Sequence, residues 1–325
     1  MPSAFISGGR GFLGGHIIKQ LQEAGWDITA LVRPRSDASA LQNRGINVVQ
    51  APLTNATELA LVMPEGVDAV FHVAGNTSLW RRGDHQQYQD NVVGTQAMVT
   101  AALRRGARRF IHTSSISAWG IQDHTITEQT PSNAANDWIS YNRTKYLGEQ
   151  EVLDGVKQGL DAVILNPCGI IGAGDTHNWS QMISMINAGK LPGVPPGGGS
   201  FCAVEEVARA HIQAHQQGLR GERYILAGIE ASFMELASTI ARLLDKPIPR
   251  VLPARALQLA GRLYPLASWF TGNEPSLTPE KVALITSRVQ ADDSKAVAEL
   301  GFNNQVPLAT MLEHCIDWMR QENRL

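Results

Sequence analysis

Short apolar runs alternate with amphipathic stretches along the first half of the chain, and turn residues such as Gly25 separate them. A helix is predicted over residues 14–24. Most gaps between the apolar runs hold the roughly twelve or more residues that a crossover between two parallel strands needs. This alternation predicts a doubly wound α/β domain built around a parallel sheet. The predicted strands cover residues 4–6, 27–32, 46–50, 69–73, 110–113 and 162–165.

The pattern changes after Asn166. Residues 191–200 read LPGVPPGGGS and are too rich in proline and glycine for regular structure, so we predict a loop there. A helix over residues 204–216 and a strand over residues 223–226 follow, and most of the later chain has a helical pattern. We therefore expect a smaller, mostly helical C-terminal lobe that closes over the sheet.

Composition places the chain among ordinary globular proteins. Of its 325 residues, 43% are hydrophobic and 18% are charged, and the formal net charge is -2. This balance gives no strong positive field, which argues against nucleic acid as a partner. Cys168, Cys202 and Cys315 lie far apart without CxxC spacing, which fits a reducing, cytoplasmic location. The sequence is compatible with a monomer or a homodimer.

No apolar run is long enough to cross a membrane, because a spanning helix needs about 18 to 20 apolar residues. The first residues lack the charged and apolar regions of a secretory signal. Residues 251–270 are apolar, yet Arg255 and Arg262 interrupt them. We interpret this segment as an amphipathic helix packed on its own domain rather than as a membrane-docking element. Stable membrane insertion is not expected.

A glycine-rich segment connects the first predicted strand to the first predicted helix. Gly9, Gly11 and Gly14 fit the pattern GxGxxG, and Gly8, Gly11 and Gly14 fit GxxGxxG. Glycine suits these positions because the chain turns sharply and its backbone approaches a pyrophosphate closely. The helix that starts here directs its free N–H groups and its positive end toward that anion. The segment therefore predicts a dinucleotide-binding loop; a tight turn without a ligand is the alternative.

The end of the second predicted strand indicates which dinucleotide binds. NAD sites usually carry an Asp or Glu there to hold the ribose 2′-hydroxyl. Here residues 31–36 read LVRPRS, without a carboxylate. The guanidinium of Arg33 or Arg35 can bind a 2′-phosphate through charge-assisted hydrogen bonds. We therefore predict NADP(H) in preference to NAD(H); the alternative is that both arginines are solvated loop charges.

Tyr141 and Lys145 lie four residues apart, so both project from one face of a helix. A tyrosine hydroxyl has an unperturbed pKa of about 10 and is a poor base at neutral pH. A neighbouring ammonium and a cationic nicotinamide ring favour the phenolate and lower this pKa. Thr113, Ser114 and Ser115 follow the fifth predicted strand, at the edge where open α/β sheets bind ligands. With the glycine loop, these residues predict an active site.

With these motifs in this order, the chain resembles the extended short-chain dehydrogenases/reductases. It is most similar to their dihydroflavonol-reductase-like branch, within the NAD-dependent epimerase/dehydratase family, and the resemblance covers nearly the whole chain. The motifs that carry it are SGGRGFLG at 7–14, VFHVAG at 70–75, NVVGT at 91–95, TSS at 113–115, YNRTK at 141–145, NP at 166–167 and GERYIL at 221–226.

The resemblance implies a division of the chain into two parts. Residues 1–167 would form an NADP-binding Rossmann domain, to which residues 202–228 return. Residues 168–201 and 229–325 would form the smaller, mostly helical lobe that covers the substrate. Asn91 would support the site without reacting.

The resemblance also implies roles for individual side chains. Ser115 would hydrogen-bond the substrate carbonyl, Tyr141 would exchange the proton, and Lys145 would tune Tyr141 and bind the nicotinamide ribose. The residues implied in cofactor binding are Gly8, Gly11, Phe12, Leu13, Gly14, Arg33, Ala74, Gly75, Tyr141, Lys145, Asn166 and Pro167.

Three positions depart from the family pattern. Ser7 stands where the family often has Thr. Residues 50–53, QAPL, lack the Asp that commonly lies near the adenine, so other groups must recognise that base. Residues 201–206, FCAVEE, replace the paired aspartates that usually precede the late helix.

Five side chains are candidates for the substrate pocket: the polar Asn76 and Ser117, and the aromatic Trp80, Trp119 and Trp179. The tryptophans lie in stretches that should surround the opening of the active site. An aromatic lining would favour an apolar or ring-bearing substrate. Packing inside the core or the lobe explains these tryptophans equally well.

No metal is expected. His211 and His215 lie four residues apart on a predicted helix and could in principle share an ion. They lack an HExxH arrangement and a third ligand nearby, so we interpret them as ordinary surface or interface histidines.

We therefore predict an enzyme that uses NADPH to reduce an aldehyde or a ketone, a small-molecule carbonyl substrate, with Tyr141 as acid/base. A nucleotide-sugar epimerase or dehydratase, or a hydroxysteroid-type dehydrogenase, would use the same Ser/Tyr/Lys group. Sugar nucleotides usually need cationic anchors, and the segment that ends at Phe201 lacks the arginine often found there in similar sugar-nucleotide enzymes. A non-catalytic NADP-sensing protein would tend to lose Tyr141 or Lys145, and both are present.

Overall fold

The computed structural model describes residues 1–253, 255 and 277–325. Its centre is a seven-stranded sheet in which all neighbouring strands are parallel. The strands are β1 Ser3–Ser7, β2 Asp27–Val32, β3 Asn47–Gln50, β4 Ala69–His72, β5 Phe110–Thr113, β6 Ala162–Pro167 and β9 Arg223–Leu226. Their order is β3-β2-β1-β4-β5-β6-β9, so the winding reverses between β1 and β4. The prediction of a doubly wound parallel α/β fold is confirmed.

Helices connect the strands and cover the sheet. The first helix begins two residues earlier than predicted, because its first turn follows directly after the glycine loop. The helices that precede residue 250 are α1 Phe12–Glu23, α2 Ser39–Gln42, α3 Ala56–Val62, α4 Asp84–Tyr88, α5 Gly94–Arg104, α6 Ser140–Lys157, α7 Trp179–Asn187, α8 Val204–Gln217 and α9 Phe233–Leu243. The later described helices are Pro279–Thr286, Ser294–Leu300 and Leu308–Gln321.

Two buried clusters lie on opposite faces of the sheet, because alternate side chains of a strand point to opposite sides. In β1, Ile6 packs toward α1 and α8 with Ile17. Phe5, the preceding residue, packs toward α3, α5 and α6 with Met98 and Val152. Each such side chain contributes about 1.5–3 kcal/mol on full burial. The two clusters hold the strand ends, and thus the site, in fixed positions.

A second, three-stranded sheet has the order β10-β8-β7, with β7 Gly169–Ile171, β8 Gly198–Ala203 and β10 Ile229–Ser232. The loop predicted over residues 191–200 is therefore wrong at its end, since residues 198–200 belong to β8. This strand pairs antiparallel with β10, and a Cβ atom at Gly198 would lie 2.7 Å from the carbonyl oxygen of Ala231. Glycine here permits close approach of two backbones rather than breaking the strand.

The C-terminal region is mostly helical, as predicted. Its core joins the second sheet to α7, α9 and the helix Leu308–Gln321 through buried apolar side chains such as Ile183, Ile240 and Ile316. The domain boundaries at residues 168–201 and 229–325 stay a prediction. Most of the segment 251–270, interpreted above as an amphipathic helix, lies outside the described residues. In the part of the chain that the structure describes, no helix has both the length and the apolar character to cross a bilayer.

Candidate active site

The glycine-rich segment forms the turn between β1 and α1, and two of its glycines leave no room for a side chain. Gly8 has a φ of 76°, and a Cβ there would lie 2.6 Å from the backbone nitrogen of Ala74. A Cβ at Gly14 would lie 2.2 Å from the carbonyl oxygen of Gly8. The N-cap residue of α1, Gly11, provides no side-chain hydrogen bond. The first N–H groups of α1 are therefore available to an anion, so this turn fits a dinucleotide pyrophosphate.

The first turn of α1 also contacts the loop that follows β7. Leu13 is buried in the core, whereas the half-buried Phe12 packs edge-on against His16 with ring centres 5.9 Å apart. His16 Nε2 lies 2.7 Å from the carbonyl oxygen of Ala173. The loop is thus held against the helix end that would carry the pyrophosphate.

Buried hydrogen bonds join the phosphate loop to the end of β4. Ser7 Oγ lies 2.8 Å from His72 Nδ1 and accepts the N–H of Ala74 at 3.3 Å. His72 Nε2 in turn lies 3.0 Å from Thr95 Oγ1. Burial lowers the pKa of His72 to about 3, so the ring is neutral near pH 7. This network fixes the backbone of Ala74 and Gly75, the residues predicted to run beside the cofactor.

Asn91 connects the segment after β4 with α6. It lies in a single π-helical turn, Gln89–Val93, and is buried. Its Oδ1 accepts the N–H of Asn76 at 2.7 Å, and its Nδ2 donates to Thr144 Oγ1 at 3.1 Å. Asn76 also donates from Nδ2 to Asp90 at 3.0 Å. Much of the hydrogen-bonding capacity of Asn76 is therefore used within the fold, which weakens its candidacy as a substrate contact.

Arg33 and Arg35 follow β2 directly, and both are exposed. Arg35 has a φ of 64°, and its N–H donates to Gln50 Oε1 at 3.2 Å. Within residues 1–253, 255 and 277–325, neither guanidinium forms an ion pair. Both cations are therefore available to an anionic ligand at this edge of the sheet.

Ser115, Tyr141 and Lys145 come together beside the carboxyl end of β5. Tyr141 and Lys145 lie one turn apart on α6, and the Ser115 hydroxyl is close enough to Tyr141 to influence the ionisation of the phenol. Lys145 Nζ donates to the carbonyl oxygen of Thr113 at 3.0 Å. Ser115 Oγ accepts the N–H of Ser117 at 3.2 Å. Two separate segments thus hold a phenol, an ammonium and a hydroxyl in one cluster.

Burial dominates the ionisation of this cluster. It raises the pKa of Tyr141 above its usual value of 10.0, and the nearby Ser115 side chain acts in the opposite direction. Burial lowers the pKa of Lys145 to about 8, against the attraction of Glu149. The lowering of the Tyr141 pKa expected from Lys145 together with a bound nicotinamide ring stays a prediction, since in the protein alone burial has the largest effect on this pKa.

Glu149 is a functional candidate that the sequence reasoning missed. It lies one turn beyond Lys145 on α6 and is fully buried. Its Oε1 accepts from Asn166 Nδ2 at 2.5 Å, and its Oε2 lies 3.1 Å from Arg223 Nε. Asn166 also donates to the carbonyl oxygen of Ser115 at 3.1 Å. The repeated four-residue spacing was a signal in the sequence, but the partner in β9 could not be read from it.

Two further predicted residues lie near the cluster. Ser117 is half-buried and follows Ser115 by two residues, and Pro167 ends β6 beside Asn166. Trp80 is half-buried in the segment after β4, with the Arg82 guanidinium 5.4 Å from its ring centre. Ser117 and Trp80 therefore keep accessible surface, as do the half-buried Asn76 and Trp179.

The other two predicted tryptophans differ in burial. Trp119 is 0% exposed, and its Nε1 donates to the carbonyl oxygen of Thr130 at 2.9 Å. Trp179 is half-buried and packs against the core of the second sheet, with its ring 5.1 Å from that of Phe201 and 5.9 Å from that of Phe233. Packing is therefore favoured for Trp119, which is fully buried, whereas the assignment of the half-buried Trp179 to the substrate pocket stays a prediction.

The histidines of α8 have separate environments. His211 is buried, with Nε2 2.7 Å from Thr113 Oγ1 and Nδ1 2.7 Å from the carbonyl oxygen of Val207. The ring of His215 packs edge-on against Trp26 at 5.0 Å. The interpretation of His211 as a surface residue is wrong, because its ring is inside the fold. Among the described residues, no three His, Cys, Asp or Glu side chains are grouped to hold a metal ion.

The doubly wound parallel sheet and the glycine turn between β1 and α1 define a Rossmann-type nucleotide-binding protein. The motifs of its glycine loop and of the residues that follow the strands are typical of one family of such proteins. The chain belongs to the NAD-dependent epimerase/dehydratase family, whose model matches residues 4–227. The resemblance inferred from the motifs is thus confirmed.

Similar proteins extend over nearly the whole chain. A protein of Synechocystis sp. (strain ATCC 27184 / PCC 6803 / Kazusa), provisionally named dihydroflavonol 4-reductase, is 31% identical and covers 97% of this chain and 94% of its own. The 4-hydroxy-2-methyl-3-oxo-4-farnesyl-3,4-dihydroquinoline-1-oxide ketoreductase of Stigmatella aurantiaca is 29% identical, covering 93% and 92%. The crystal structure of gox2253 has a TM-score of 0.86 and 29% identity over 100% of both chains. These likenesses support an oxidoreductase.

Proposed function

We propose that this protein is an NADPH-dependent oxidoreductase that reduces an aldehyde or a ketone to an alcohol. The proposal rests on the meeting of Ser115, Tyr141 and Lys145 at the sheet edge beside the phosphate loop. A phenol that burial keeps protonated is suited to donate a proton to a carbonyl oxygen. Relatives named as reductases, which match nearly their full length, support the same class.

Each side chain of the cluster has a separate task in this reaction. Ser115 donates a hydrogen bond to the carbonyl oxygen and orients the substrate. As the carbonyl carbon gains a hydride, its oxygen becomes negative and takes the proton of the Tyr141 hydroxyl. The Lys145 ammonium stabilises the phenolate that is left. When bound, the reduced nicotinamide supplies the hydride.

The proposed cofactor site follows the sheet edge from the phosphate loop to β6. The backbone around Gly8, Gly11 and Gly14 would carry the pyrophosphate, and Phe12 and Leu13 begin the helix above it. Arg33 would bind the 2′-phosphate of NADP, which is why we propose NADP over NAD. Residues along the remaining path are Ala74, Gly75, Tyr141, Lys145, Asn166 and Pro167.

Three alternative functions use the same fold. A nucleotide-sugar epimerase or dehydratase and a hydroxysteroid-type dehydrogenase share the Ser/Tyr/Lys chemistry, and a non-catalytic NADP-sensing protein shares the loop. Residues 198–203 form β8 and contain no arginine that could bind a sugar diphosphate. A neutral carbonyl compound is therefore the proposed substrate class.

A turnover screen tests the proposal. Purified protein is given NADPH with panels of aldehydes, ketones, 3-oxosteroids and nucleotide sugars, and NADPH consumption and sugar epimerisation are both followed. We expect turnover with neutral carbonyl compounds, and Tyr141→Phe should lower it by about 10²–10⁴-fold while NADPH still binds. Turnover with nucleotide sugars alone would support the epimerase. NADPH binding without any turnover would support the sensor, and a fully active Tyr141→Phe variant would contradict the mechanism.

A further inference from the structure

A buried carboxylate extends the Tyr141–Lys145 face of α6 by one more turn. Tyr141, Lys145 and Glu149 follow each other at intervals of four residues, so all three lie on the same face of the helix. Glu149 is 0% exposed. A charged group taken out of water persists only if opposite charges and hydrogen bonds surround it. The groups around Glu149 therefore decide what it does.

Two neighbouring strands supply those groups. Arg223 of β9 places Nε 3.1 Å from Glu149 Oε2, and Asn166 of β6 donates to Oε1 at 2.5 Å. The Arg223 guanidinium lies 5.6 Å from the ring centre of Trp119, which fixes its position from the other side. Burial raises the pKa of Glu149, while Arg223, the side chains of Ser114 and Asn166, and the Lys145 ammonium act in the opposite direction.

Among residues 1–253, 255 and 277–325, few other charged groups lie near Lys145. His72 of β4 and His112 of β5 face it, and burial lowers the pKa of both rings, so neither carries a charge near neutral pH. The carbonyl oxygen of Thr113 accepts from Nζ at 3.0 Å. Glu149 is the group that favours the ammonium form of Lys145 against the effect of burial.

We propose that Glu149, held by Arg223, is a positioning residue that keeps Lys145 charged and holds Ser115 in place through Asn166. The second link is direct, since Asn166 Nδ2 donates both to Glu149 and to the carbonyl oxygen of Ser115. The role in catalysis rests on the proposed function. The charge coupling between Glu149 and Lys145 does not, so it can be tested without a substrate.

The cofactor-free test follows the ¹³Cε signal of Lys145 during a pH titration of ¹³C-lysine-labelled protein, assigned by its loss in Lys145→Arg. We expect a midpoint of about 8 in the wild type. In Glu149→Gln, which keeps the size and an acceptor for Asn166, the midpoint should fall by about one pH unit. Glu151→Gln makes the same change outside the site, in a groove on the outer side of α6, and should leave the midpoint unchanged. An unchanged midpoint in Glu149→Gln would overturn the proposal.

If Glu149→Gln does not fold, the reciprocal measurement applies, because a coupling between two sites acts equally in both directions. The ¹³Cδ signal of Glu149, assigned by its loss in Glu149→Asp, should titrate at higher pH in Lys145→Met than in the wild type. An identical titration in both proteins would again contradict the coupling.

Turnover separates the two parts of the proposed role. In Glu149→Gln, the alkaline limb of the pH profile of kcat/KM should shift from its wild-type position. The shift should equal the change in the Lys145 titration midpoint. Glu149→Asp keeps the charge but shortens the link to Asn166, so its kcat should fall several-fold while the alkaline limb stays in place. A purely structural Glu149 would lower stability without moving the limb. If the wild type shows no turnover while the Lys145 midpoint responds to Glu149, the proposed function fails and the charge coupling stands.

Discussion

Gly14→Ala is the most direct perturbation of the phosphate loop, because it adds a single methyl group at its tightest contact. That Cβ would lie 2.2 Å from the carbonyl oxygen of Gly8, 2.8 Å from its carbonyl carbon and 2.9 Å from Cα of Gly9. All three are backbone atoms, so the turn itself must move. Overpacking of this kind destabilises a protein by about 1–3 kcal/mol.

The adjacent Gly15 provides a matched control on the same helix. A Cβ built there has no atom within 4 Å. Gly15→Ala should therefore stabilise the protein by about 0.5–1 kcal/mol, since alanine restricts the unfolded chain more than glycine does. Together the two effects separate the variants by about 1.5–4 kcal/mol in the free energy of unfolding.

Guanidinium titration measures that difference, and quenching of tryptophan fluorescence measures NADPH binding. A shifted Gly8 carbonyl displaces the N–H groups of the loop, so NADPH should bind at least about tenfold more weakly to Gly14→Ala, a loss of about 1.4 kcal/mol. Gly15→Ala should bind NADPH as the wild type does. Equal stability and equal affinity of the two variants would refute the assigned contact.

Three further predictions concern charges. Arg33→Ala should weaken NADPH binding about tenfold or more and leave NADH binding nearly unchanged, as titrations with both cofactors would show; equal losses would contradict a 2′-phosphate contact. Arg81 lies 2.6 Å from Glu280, whose side chain is only 4% exposed, so Arg81→Met should lower the free energy of unfolding by about 1 kcal/mol. The double variant with Glu280→Gln should recover part of that loss; if the losses add instead, the pair is not coupled. Burial lowers the pKa of His211 from 6.5 to about 4, so the unfolded chain binds a proton in this range that the folded protein does not. Stability should therefore be complete above pH 6.5 and fall toward pH 4, and His211→Gln should reduce the slope by at most about 1.4 kcal/mol per pH unit; an unchanged slope in denaturant titrations would contradict this assignment.

Local patterns were sufficient to predict the central sheet. Strands buried between two layers of helices are short apolar runs, and those around β1, β2 and β5 begin and end within one residue of their predicted bounds. The turn between β1 and α1 could be predicted for a related reason. Its glycines are required by contacts among neighbours in the sequence, such as Gly14 against Gly8.

Features that depend on distant partners could not be predicted. Gly198 belongs to a strand because β10 lies beside it, and without that partner the glycine-rich segment looks like a loop. The importance of Glu149 depends on its contact with Arg223. Arg223 lies on β9, which is separated from β5 in the sheet by β6. Trp119 could not be assigned to core or pocket, because an indole suits both until its neighbours are known.

The position of β9 has a consequence for the nascent protein. β9 closes the edge of the sheet next to β6, yet the ribosome makes it only after β7, α7, β8 and α8. Until residue 226 has been synthesised, β6 has an open edge that can pair with other chains. The carboxylate of Glu149 also lacks its cation during this interval. Premature termination after β6 but before Arg223 should therefore yield polypeptides that carry Ser115, Tyr141 and Lys145 but are prone to aggregate and are targets for chaperones and proteases.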